Sequence, residues 1–158
     1  MKRSTPLRAT TGLATRTPLK AKSAPTRRAA AHKPQRDTGP SRKTRALVLA
    51  RDGYHCVRDG RPAGPGIGPY SIQHRKARGV GGDNSLPNLL LLCGSATTLC
   101  HGEVESRQDP HDLAAGYRLE SWQDPAAEGV MYMERDGGDF TAWLLPDGGL
   151  SFDGPVAA

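Results

Sequence analysis

The order of local signals along this 158-residue chain predicts an α+β fold. Three observations carry that expectation. A short apolar helix candidate is followed by two strand candidates of about five residues each and then by a second helix candidate. Turn signals recur at short intervals, with 19 Gly and 13 Pro in the chain. Three cysteines fall at the edges of the expected elements, where metal sites draw ligands. The length suits one ordinary domain, two at most, and the 36% hydrophobic content leaves the packed part small.

Residues 1–43 read as a disordered basic arm. Residues 1–45 hold 13 Lys or Arg against a single acid, Asp37, with no aromatic residue and prolines at 6, 18, 25, 34 and 40. Such a segment buries too little surface to offset chain entropy, and a polycation binds phosphate backbones by counterion release. The folded part is expected from Ser41, a cap candidate, through the helix around Ala46–Ala50 to Asp52 and Gly53. Tyr54–Gly60 reads as a strand running into a tight turn. Residues 64–69 form a plain connection, since their prolines and the missing helix after them argue against a phosphate loop. Tyr70–His74 and Leu89–Cys93 read as pairing strands, linked by the glycine-rich stretch 79–84. Cys100–Arg107 reads as a helix, continued over His111–Tyr117 beyond Pro110.

The cysteines pose the first chemical question. Cys56, Cys93 and Cys100 are an odd and small set, which disfavours a secreted disulfide framework. They read either as ligands of a structural zinc or as buried small hydrophobes. A tetrahedral zinc needs a fourth donor. Position 59, where a second knuckle cysteine would stand, is Asp59, so Asp59 or His55 is the candidate.

A second constellation is more specific. Gln73-His74-Arg75, then Asn88 in Pro87-Asn88-Leu89-Leu90-Leu91-Leu92-Cys93, then Cys100-His101 with Glu105 four residues on, resemble the HNH endonuclease family over roughly residues 44–107. The order of the basic arm, Arg51-Asp52-Gly53-Tyr54, the His-Arg turn and the Cys-Gly-Ser to Cys-His-Gly stretch is most similar to small HNH proteins of actinobacterial phages. The resemblance implies a ββα-metal finger over residues 44–117, stapled by zinc at Cys56, Asp59, Cys93 and Cys100, that hydrolyses DNA phosphodiesters with a divalent cation, Mg²⁺, Mn²⁺ or Ni²⁺. By the same resemblance His74 is the general base, Asn88 the brace of its loop and His101 a ligand of the catalytic cation, with Gln73 as the other. Gln73 departs from the family, which has Asp, Glu or His there. It also implies a partner, the phage terminase large subunit.

The residue types suit that chemistry on their own terms. A neutral imidazole takes a proton from water near neutral pH. Glu105 lies one helical turn from His101 and shares its face. Arg75, Lys76 and Arg78 crowd the adjoining loop and are expected to grip DNA phosphates. The alternative is a zinc-stapled DNA-binding module without catalysis. Residues 118–158 are expected to form an acidic β-rich extension with strands at 129–134, 140–145 and 150–152, packed through Trp122, Tyr132, Trp143 and Phe152. Residues 102–158 carry a net charge of −9, so direct DNA contact there is disfavoured. No apolar run of about 18 residues and no apolar N-terminal stretch occur, which makes a cytoplasmic protein without a membrane span the expectation.

Overall fold

The computed structural model describes residues 39–106 and 109–155. Most of the expected arm, with His32, lies outside the described residues, as does Arg107 at the expected helix end. The architecture is mixed α and β with two small sheets.

Helix α1 spans Arg42–Arg51. It starts where a side chain can satisfy an orphan amide: Ser41 Oγ accepts from the Thr44 amide at 3.1 Å. It ends in two left-handed residues, Gly53 and Tyr54, with φ of 58° and 57°. Its last residue anchors it. Arg51 donates to the carbonyls of Leu86 and Leu89 at 2.9 and 2.6 Å and pairs with Asp52 at 2.7 Å. Asp52 in turn accepts from the Leu91 amide and the Tyr132 hydroxyl, each at 2.8 Å. A buried carboxylate is tolerable here because each of its oxygens has donors.

Strands β1 (Tyr70–His74) and β2 (Leu89–Cys93) pair antiparallel, with Tyr70 opposite Cys93 and His74 opposite Leu89. All five residues of β2 are buried, as a continuous apolar run predicts for a strand covered on both faces. Each buried leucine contributes about 1.5–3 kcal/mol of transfer free energy. Helix α2 (Leu99–Ser106) packs on β2, and a short helix α3 (Pro110–Ala114) follows, capped by Asp109. The expected helix over His111–Tyr117 stops early because Gly116, at φ 74°, turns the chain.

Strands β3 (Val130–Met133), β4 (Asp139–Leu144) and β5 (Leu150–Ser151) form an antiparallel meander. The boundary expected at residues 117/118 does not separate two cores. Val130, Tyr132, Ala142 and Leu144 join Val48, Cys56 and Leu89–Leu92 in one buried cluster. The Met131 and Met133 amides donate to the carbonyls of Ala115 and Val57, both at 2.9 Å. Of the expected packing aromatics, Tyr132 is buried and stacks on Phe140 at 5.2 Å, whereas Trp122 and Phe152 are 79% and 62% exposed. Acidic residues outnumber basic ones eight to two in residues 118–158, yet alternation sends every second side chain of β3 inward.

Candidate functional site

The two ends of the β1/β2 hairpin carry different chemistry. At one end lie the cysteines. The expected strand over Tyr54–Gly60 is a knuckle instead, because the left-handed Gly53 and Tyr54 break extended backbone. Within it the Gly60 amide donates to the Cys56 carbonyl at 2.8 Å, which curls Cys56 and Asp59 towards one point. Cys93 and Cys100 meet there through a tight loop. Gly94 makes that loop possible: a Cβ on it would sit 2.1 Å from the Thr98 carbonyl oxygen.

Ligand atoms of Cys56, Asp59, Cys93 and Cys100 all lie within 4.8 Å of one another, and no other group of three or more His, Cys, Asp or Glu donors forms among the described residues. Asp59 Oδ2 is 3.1 Å from the Cys100 sulfur and 3.5 Å from that of Cys93. A tetrahedral ion with bonds of about 2.3 Å to sulfur and about 2.0 Å to oxygen needs edges of about 3.5 Å between sulfur and oxygen. The cluster therefore has the dimensions of a Cys₃Asp metal site and is compatible with structural zinc. His55 is not among the converging donors, and its Nδ1 faces the Gly53 carbonyl at 2.6 Å.

Proton affinities in the cluster are unequal. Donation to Cys100, then burial, holds the Cys56 thiol well above its usual range. Burial pushes Cys93 up to about 11. The Cys56 donor draws Cys100 down to about 7. Burial works against the Asp59 carboxylate, but the Cys100 and Cys56 thiols and Arg61 outweigh it and hold Asp59 below its ordinary value. Four acids crowded together share their protons, a condition a divalent cation relieves.

The other end is a polar clamp. The buried Asn88 side chain accepts from the Lys76 amide at 2.7 Å and donates to the carbonyls of Lys76 and Asp83 at 3.1 and 2.9 Å, closing the loop that follows His74. It thus braces the loop and does not touch the imidazole. His74 Nε2 meets Asn84 Oδ1 at 2.8 Å, a partner that sequence reasoning missed. An amide oxygen only accepts, so that geometry assigns the proton to Nε2 and leaves the lone pair on Nδ1.

The expected phosphate-gripping role of Arg75 does not survive. Its side chain is wholly buried, and its five N–H groups go to the carbonyls of Gly116, Pro87, Pro125, Glu128 and Gly129 at 2.7–3.1 Å. That is the whole donor capacity of a guanidinium. Burial pushes its pKa down to about 10, so it stays cationic at neutral pH. Lys76 is half-buried with Nζ 3.2 Å from the Gln123 carbonyl, while Arg78 is exposed.

Gln73 is buried and His74 half-buried, and the Gln73 amide nitrogen donates to the His74 carbonyl at 3.1 Å. On α2, His101 Nε2 faces Glu105 Oε1 at 3.8 Å. Its Nδ1 is shut off from solvent without a hydrogen-bond partner. Burial holds the His101 pKa below the usual imidazole value and so favours the neutral, ligating form. Arg58 was also missed. It bonds Asp112 at 2.8 Å and pairs with Glu103. No spacing rule marks a lone arginine between two ligands.

No helix among the described residues is long and apolar enough to cross a membrane. Comparison of the chain with protein-family models, curated proteins and solved structures gave no match.

Proposed function

We propose that this chain is a metal-dependent HNH-class endonuclease that hydrolyses DNA phosphodiesters, with a zinc in the Cys₃Asp cluster holding the fold. The observation that carries the reading is the end of β1: a half-buried histidine with one nitrogen occupied by Asn84, on a loop locked by the buried Asn88. His74 Nδ1 takes the proton from the attacking water. Asn84 fixes which nitrogen is free. His101, Glu105 and the Gln73 amide oxygen would hold a catalytic Mg²⁺, Mn²⁺ or Ni²⁺, which would supply charge stabilisation at the phosphoryl oxygens. Arg78 and the basic arm, with its excess of Lys and Arg, supply phosphate contacts. A link to the terminase large subunit rests on the family resemblance.

A non-catalytic zinc-stapled DNA-binding module is the second reading. What favours it is Gln73, which brings no charge to the cation and whose amide nitrogen is turned to the His74 carbonyl.

Nicking of supercoiled plasmid with each of the three cations separates the readings. Wild type should convert supercoiled to open-circular or linear DNA, and His74→Ala should lose about 10²- to 10⁴-fold in rate while keeping its melting temperature and DNA affinity. Equal cleavage by the variant would remove His74 from the mechanism. Binding without cleavage under all three cations would favour the second reading.

A further inference from the structure

We propose that Arg58 is an outer-sphere partner of the metal centre, pinning the Cys100 ligand and the two helices beside it, so that metal retention depends on this one cation. The inference rests on the zinc reading of the Cys₃Asp cluster.

Charge is the first argument. A divalent ion with three thiolates and one carboxylate carries a net charge of −2, and an inward-facing centre of that kind needs cations close by. Two arginines flank this one: Arg61 pairs with Asp59, and Arg58 stands between Cys56 and Asp59 in the chain. Arg61 Nε lies 2.6 Å from Asp59 Oδ2, but its side chain is 53% exposed and works in high dielectric, where an ion pair is worth little. Arg58 is the inner one, with its side chain 19% exposed and its Nη1 paired with Glu103, three residues from Cys100 on the same helix.

Connectivity is the second. Arg58 stands in the knuckle between Cys56 and Asp59. Its Nε donates to Asp112 Oδ1 at 2.8 Å and its Nη1 pairs with Glu103. Glu103 belongs to α2, the helix that carries Cys100, and Asp112 to α3. One side chain thus ties the loop bearing two ligands to the helix bearing a third and to the helix after it.

Asp112 supplies the third argument. It is fully buried, and its Oδ2 has no hydrogen-bond partner. Among the described residues, its carboxylate pairs with Arg58 and, at 3.9 Å, with Nδ1 of the largely exposed His111. Without Arg58 the buried Asp112 carboxylate would lose its 2.8 Å partner, and the knuckle its tie to α2 and α3. Such a centre should release its metal more readily.

The test is zinc competition on the purified full chain against a chromogenic chelator, together with the melting shift that zinc produces. Arg58→Met should weaken zinc retention about 10- to 100-fold, the usual cost of losing an outer-shell partner, and should shrink the zinc-induced shift. Arg58→Lys, which keeps charge but loses the fork, should fall between, and Arg61→Met should stay within about threefold of wild type. A merely structural Arg58 would lower the melting temperatures of the zinc-free and zinc-loaded forms alike and leave the affinity unmoved. Wild-type affinity in a folded Arg58→Met would overturn the inference. Should that variant fail to fold, Arg58→Lys decides, and wild-type retention there would overturn it equally. A wild-type chain that binds no zinc would overturn the zinc reading and this inference with it.

Discussion

The two ends of one five-residue hairpin are fastened by different means. At the Cys93 end, three thiols and a carboxylate converge as a donor set that could hold a metal ion. At the His74 end, neutral hydrogen bonds from Asn88 to backbone groups close the loop, and Arg75 fills a nest of five carbonyls. The ends are about 13 Å apart along the strand, so each is tuned without the other. The contrast teaches that crowded acidic donors make one end fit to hold a metal ion, whereas satisfied backbone partners close the other end without one.

The largest effect should come from breaking the metal end. Cys100→Ser, or chelation of the wild-type chain, should unfold the knuckle and α2, because zinc binding and folding are one equilibrium. A marked fall in the melting temperature of zinc-free protein is the readout. Retention of the native transition would mean that the cysteines serve only as packing.

A smaller effect is expected from breaking the polar end. Asn88→Ala leaves the Lys76 amide and two carbonyls without their partner, at about 1–3 kcal/mol for each group left buried and unpaired. Denaturant unfolding should show a loss of a few kcal/mol with zinc content unchanged. If zinc is lost as well, the two ends are coupled and the comparison fails.

The smallest effect sharpens the comparison by pH. Burial first, then the Asp52 carboxylate, pushes the Tyr132 hydroxyl well above its ordinary value. The group is protonated when folded, so its contribution to stability is complete below the unfolded pKa of about 10 and is lost as pH rises above it. Tyr132→Phe in zinc-loaded protein should flatten that alkaline decline and cost about 1 kcal/mol at neutral pH, measured by denaturant unfolding at pH 7 to 11. An unchanged alkaline limb would assign the decline to other groups.

Much of the local structure was readable from short-range rules. Ser41 capping α1, the all-apolar run Leu89–Cys93 and the turn glycines of the meander each depend on neighbours a few residues away. The Tyr54–Gly60 knuckle misled, because Tyr54 has strand propensity yet sits at positive φ beside Gly53. Arg75 misled for a different reason. Three cations within four residues look like a solvated basic loop, and the partners that take Arg75 inside lie 12 to 54 positions away in sequence.

The sequence by itself determined the donor set: which residues carry thiols, imidazoles and carboxylates, and that Asp59 stands in knuckle spacing three residues after Cys56. It also set the segregation of charge, because composition needs no fold. Only the tertiary structure decided between Asp59 and His55, gave His74 its Asn84 partner, withdrew Arg75 from solvent and made the acidic C-terminal strands part of the same core. Each of those outcomes turns on which distant groups meet in a low-dielectric interior, where an unpaired donor or charge is costly and only particular pairings satisfy it.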